Sequence, residues 1–147
     1  MPIIDITLPE GALPKKALER LPETVGQIAL KYEGLKGSPF AEAFTWVYTH
    51  EVPSPNLVQV SGKPPKPIYR FLFTTLQGLI DQESKHKLGI EVAKAIYEFE
   101  ESPWNEEEAH NRVWVFFNDV REGDWIVGAG INNLPDLRAR VEREKTR

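Results

Sequence analysis

The chain has no cysteine and only one methionine, its first residue. Without thiols it can form neither a disulfide nor a thiolate nucleophile, and a reducing, cytoplasmic setting is expected. Its three histidines, His50, His86 and His110, stand far apart with no ligand spacing, so no metal centre is expected. No apolar run approaches the ~20 residues that a membrane span needs. No basic segment followed by an apolar stretch opens the chain, as it would in a secretory signal. Positive charge is in deficit, with 18 Lys and Arg against 22 Asp and Glu and a net charge of −4. That balance argues against a nucleic-acid backbone as partner.

What remains is an ordinary globular composition, 41% hydrophobic and 27% charged, over 147 residues. This length makes one domain with its own core. The domain is built by duplication. Residues 46–52 read WVYTHEV, and residues 114–120 read WVFFNDV, 68 positions later. The same offset aligns Ile28 with Ile96 and Gly62 with Gly130. A constant offset across helix, strand and loop marks a repeat.

Each half has the same grammar. Ile4, Ile6 and Leu8 alternate with Asp5 and Thr7, as in a half-buried strand. From Pro14 to Tyr32, Leu18, Leu21, Val25, Ile28 and Ala29 recur at helical spacing. Pro22 interrupts that helix and predicts a kink or break; Gly34 and Gly37 end it. Phe44 to Val52 is a second strand. In the other half Ile68–Thr75 reads as strand, Gln82–Phe99 as helix and Val113–Val120 as strand. The Glu-rich run Glu98–Glu108 reads as a solvated helix boundary.

A long helix between two strands makes them parallel through a right-handed crossover. The expected fold class is therefore α+β. Two tandem β-α-β units, about 2–62 and 67–131, form a four-stranded sheet with two helices on one face. A charged helical tail follows, expected to pack on a neighbouring subunit or fray. The bare face of such a sheet needs cover. Either a further copy of the chain or the C-terminal segment supplies it.

These features resemble the tautomerase superfamily over about residues 2–131. PIIDITLPEG is similar to the oxalocrotonate tautomerase opening, a strand that starts at proline and closes on Glu-Gly. The stretch Gly123 to Gly130 is similar to the family's glycine-rich hairpin, with Trp125 at its mouth. The doubled unit resembles fused members such as malonate semialdehyde decarboxylase and cis-3-chloroacrylic acid dehalogenase. The resemblance implies a homotrimer of tautomerase or MIF-like architecture, with no cofactor and a small carbonyl or carboxylate substrate. It further implies that Met1 is removed and that Pro2 is the catalytic amine. A chain-terminal amine titrates near ~8, and burial lowers that value. Neutral, Pro2 is a general base for keto-enol isomerisation; protonated, it is an acid.

The second catalytic candidate is Glu42, where the decarboxylase pattern has a water-activating aspartate. With Pro2 as acid, Glu42 would support hydratase, dehalogenase or decarboxylase chemistry instead. The carboxylate-binding arginines of the family are missing. Ala12 and Trp114 stand at two of their places, and residues 76–80 carry no charge. Arg70 and Arg112 are the candidate substitutes, and Tyr48, Trp114 and Trp125 the candidate substrate-contacting walls. An uncharged, aromatic or phenylpyruvate-like substrate fits such a pocket. The missing arginines equally fit a catalytically silent trimeric binding module. His50 is paired by the repeat with Asn118, so a structural role is expected for it.

Overall fold

A computed structural model describes residues 1–147. The first half comprises β1 (Ile3–Pro9), α1 (Lys15–Glu33), a short α2 (Pro39–Ala43) and β2 (Trp46–Val52). The second comprises β3 (Tyr69–Leu76), α3 (Gln82–Phe99), α4 (Glu106–Arg112) and β4 (Val113–Val120). A hairpin, β5 (Ile126–Val127) and β6 (Gly130–Ile131), and a last helix α5 (Leu134–Lys145) complete the chain. The four long strands form one sheet in the order β2-β1-β3-β4. β1 and β2 are parallel, as are β3 and β4, and the halves meet through the antiparallel pair β1/β3.

The alternation along each strand decides the two faces. Ile4, Ile6, Leu8, Phe71 and Phe73 are fully buried beneath α1 and α3. Leu21, Val25 and Ala29 of α1 and Leu88, Val92 and Ile96 of α3 supply the matching helix stripes. On the opposite face Trp46, Tyr48, Trp114 and Phe116 stay exposed. The C-terminal segment does not cover them. Instead, α5 buries Leu137 and Val141 against the start of the chain.

The duplication is tighter in space than in letters. Ile3 pairs with Trp46 and Arg70 with Trp114, so β1 and β3 correspond at an offset of 67. The same offset relates the helix endings. Leu35 N donates to Leu30 O at 2.9 Å, and Ser102 N to Tyr97 O at 2.9 Å. Gly34 turns left-handed at φ 73°, and Glu101, the one non-glycine with positive φ, does so at 56°. The offset becomes 68 only at β2 and β4, because Ser102 is one residue further from Trp114 than Leu35 is from Trp46. Ile96 therefore corresponds to Ala29, not to Ile28.

Two expectations need correction. The Glu-rich boundary contains a helix, α4, capped by Asn105, whose side chain accepts from Glu108 N at 3.0 Å. Its three glutamates occupy the first turn, where the helix dipole favours them. The other concerns Pro22, which does not break α1. Leu21 and Val25, both fully buried, pin the helix to the sheet on either side of it. The lost hydrogen bond to Leu18 remains a local cost. Pro22→Ala should therefore raise stability by about 1–3 kcal/mol, read as a higher urea midpoint.

Candidate active site

The start of β1 lies at the centre of a closed apolar cluster. Pro2 and Met1 are both buried. The Pro2 carbonyl accepts from Trp46 N at 3.2 Å, which fixes the first residues against β2. Met1 packs among Leu30, Leu35, Ala41, Leu76, Leu137 and Val141. Phe40, Leu79, Trp125 and Leu134 form the outer wall. Leu30 and Leu35 flank the left-handed end of α1, and Leu137 and Val141 are one turn apart on α5. Glu144 anchors α5 by accepting from Phe40 N at 2.8 Å and from the Ser38 hydroxyl.

One carboxylate enters this cluster. Glu33 is 6% exposed and is the last residue of α1. Its Oε2 accepts from the Met1 amine, and its Oε1 accepts from Thr75 Oγ1 at 2.8 Å. Thr75 is fully buried. An anion at the negative end of a helix is doubly disfavoured, by the dipole and by desolvation. The chain's terminal ammonium offsets both. Burial pulls that amine below its ordinary value, and the charge and hydrogen bond of Glu33 pull it part of the way back.

The second half solves the same problem differently. Glu100 stands 67 residues after Glu33, at the end of α3. Its Oε2 accepts from the Arg112 guanidinium and from the Tyr69 hydroxyl, the latter at 2.9 Å. Arg112 is 6% exposed and also donates to Glu108 at 2.9 Å and to the Pro67 carbonyl at 3.0 Å. Burial works against its charge, but the bonds to Glu100 and Tyr97 outweigh that and keep it cationic. Burial and the neighbouring Glu100 likewise hold Tyr69 well above its ordinary value, as a neutral phenol. By register Tyr69 is the counterpart of Pro2. The second half thus carries its own cation. The first half has none but the chain terminus.

The remaining candidates fall in other places. Glu42 lies exposed on α2, where its carboxylate accepts from Gln27 Nε2 of α1 at 3.2 Å. The carboxylate that reaches the terminus is Glu33. Arg70, Arg112 and Trp114 come together, but around a groove of about 1040 Å³ between β3, β4 and residues 57–61. Arg70 pairs across β1 with Thr7, five residues from Pro2, which is about 16 Å along a strand. Within one chain, that groove and the terminus are separate. Tyr48 lies on the bare face, stacked at 6.3 Å on His50, whose Nε2 lies 3.0 Å from Asp5 Oδ1. Trp125 does sit where the hairpin meets the terminus, partly buried against the Met1 cluster. Glu33 and Thr75 were not among the sequence candidates. A signal for Glu33 existed: an acid directly before the terminating Gly34, where a basic residue is the usual choice.

This is a β-α-β duplication with the first residue buried at one end of the sheet. Solved structures share it. A structure of Pt0534 inactivated by 2-oxo-3-pentynoate superimposes with a TM-score of 0.71 at 21% identity, covering 89% of this chain and 96% of that one. The F6 fused 4-OT, an asymmetric trimer, gives 0.68 at 17% identity over 88% and 95%. Macrophage migration inhibitory factor from Oncomelania hupensis gives 0.65 at 10% identity over 90% and 98%. The chain carries the fused 4-OT fold. That is the duplicated β-α-β architecture expected from the sequence. No protein-family model matches the sequence, and no curated protein does.

The Glu100–Arg112 pair secures the end of α3. Removing one partner of a buried pair leaves the other charge uncompensated. Arg112→Ala should cost about 3–5 kcal/mol, measured by urea unfolding. Thr75→Val leaves Glu33 one donor short and should cost about 1–3 kcal/mol by the same measurement.

Proposed function

We propose that this chain is a cofactor-free enzyme of the tautomerase type, in which loss of Met1 frees the secondary amine of Pro2 for proton transfer. The substrate is a small enolisable or unsaturated carbonyl compound. The observation that carries this reading is the burial of the first two residues in an apolar pocket. The Pro2 nitrogen is at most about 3.7 Å from that of Met1, by covalent geometry. It therefore lies beside the same buried carboxylate. Burial lowers the amine in this environment, which favours the neutral, basic form. In ketonisation Pro2 accepts the enol hydroxyl proton, and its ammonium form returns a proton to the α-carbon. The apolar wall of Leu76, Leu137, Val141 and Trp125 excludes water from that exchange. A lyase mechanism would need a second carboxylate to activate water, and Glu42 faces Gln27 instead.

A second reading has one observation in its favour. Met1 itself fills the pocket, and its amine satisfies Glu33. A chain that keeps Met1 would be a silent binding module. Assembly belongs to either reading: the exposed Trp46, Tyr48, Trp114 and Phe116 make an apolar face suited to self-association. We assign a trimer, as for the F6 fused 4-OT.

Intact mass decides between the readings: the enzyme should be lighter by one methionine. Pro2→Ala should lower kcat for ketonisation of a small enol by about 10²-fold, followed by ultraviolet absorbance. Light scattering should return three times the chain mass, and Trp114→Glu should return a single chain.

A further inference from the structure

Glu33 is left with a specific need once Met1 is gone. Its carboxylate keeps Thr75 as donor but loses its only cation. No lysine or arginine bonds to Glu33, whose partners are the Met1 amine and the Thr75 hydroxyl; Arg140 reaches only the outer wall, over the Phe40 ring at 4.4 Å. The equivalent Glu100 shows what such a position requires, since it is held by Arg112. A buried, unpaired carboxylate is strongly unfavourable. The nearest group able to replace the Met1 amine is the newly freed nitrogen of Pro2, about one residue away.

We propose that Glu33 is the positioning partner of the Pro2 amine in the mature chain, and that its negative charge restricts the vacated pocket to uncharged carbonyl compounds. This rests on the proposed function of Pro2 and names its substrate class. The pocket that Met1 leaves is walled by Leu30, Leu35, Leu76, Leu137 and Val141, none of which can clamp an anion. Glu33 adds repulsion to that lack. A substrate carboxylate brought beside Pro2 would meet a like charge at close range in a medium that screens poorly. A ketone, aldehyde or ester meets only hydrocarbon, the amine and the Thr75–Glu33 pair.

Alkynyl ketones test this without requiring turnover. The Pro2 nitrogen adds to the β-carbon of 3-pentyn-2-one: an N–C bond forms, one alkyne π bond breaks, and the amine proton moves to the α-carbon. The chain gains the mass of the whole reagent. Its carboxylate counterpart, 2-oxo-3-pentynoate, reacts in the same way. Labelling rates for both are measured on protein co-expressed with methionine aminopeptidase, so that Met1 is trimmed during synthesis, and prolinamide gives their intrinsic ratio.

The acid should label Pro2 at least about tenfold more slowly than the ketone, relative to prolinamide. Glu33→Gln should close most of that gap, whereas Glu33→Asp, which keeps the charge, should preserve it. Nitrogen NMR of labelled Pro2 should show its titration midpoint lower in E33Q than in the parent. Equal normalised rates in the parent overturn the proposal even if E33Q fails to fold. So does an unchanged midpoint in folded E33Q. Expected labelling without ketonisation of any enol sinks the enzyme reading but leaves the role of Glu33 standing. Ketonisation with an unchanged rate ratio in E33Q does the reverse. A chain that resists removal of Met1 refutes both.

Discussion

A carboxylate at the buried end of a long helix must find positive charge close by, and the architecture of both halves follows from that demand. In the second half the charge is a side chain, Arg112, held at the junction of α4 and β4. In the first it is the end of the polypeptide. That difference breaks the symmetry of the duplication. It draws the terminus inward, aligns β1 against β2 from its first residue, and leaves α5 to close the pocket above. The Thr75 hydroxyl assists the ion pair between Glu33 and the Met1 amine.

The sheet needs no such charge. Its cohesion comes from the alternation of Ile4, Ile6 and Leu8 against Phe71 and Phe73, packed beneath matched stripes on α1 and α3. These residues repeat at an offset of 67 with the same burial on both sides. The antiparallel seam between β1 and β3 joins two equivalent units. The opposite face carries four large exposed aromatic side chains. That is an unusual load for water to solvate, and it argues for contact with further copies of the chain.

Much of the frame was legible before any coordinates. Periodicity of two and of 3.6 located the four strands of the sheet and the two helices over it to within two residues, because these elements are long and half-buried. The short helices α2 and α4 were not seen. Five- and seven-residue helices carry too few turns to show a period, and only their caps, Ser38 and Asn105, announce them. The effect of Pro22 was misjudged because packing by Leu21 and Val25 overrode a local rule. Pro2 and Trp125 were named from motif, and they lie at the buried start of the chain and against the Met1 cluster. Glu33 was not named, because its importance comes from a contact 32 residues away in sequence. Arg112 read as a substrate clamp until the contacts of Glu100 and Glu108 accounted for its guanidinium. A sequence displays charges but not which of them are already spoken for.

The position of α5 also fixes an order of events. Helix α5 leaves the ribosome long after Met1, against which it packs. Once Leu137 and Val141 have docked and Glu144 has capped α2, Met1 is buried, and an aminopeptidase must act before that docking. Any trimming of the nascent chain therefore belongs to synthesis, in the roughly 7–26 seconds that ~130 residues take to emerge at about 5–20 residues per second. After release the folded protein keeps whichever terminus it had when its tail closed.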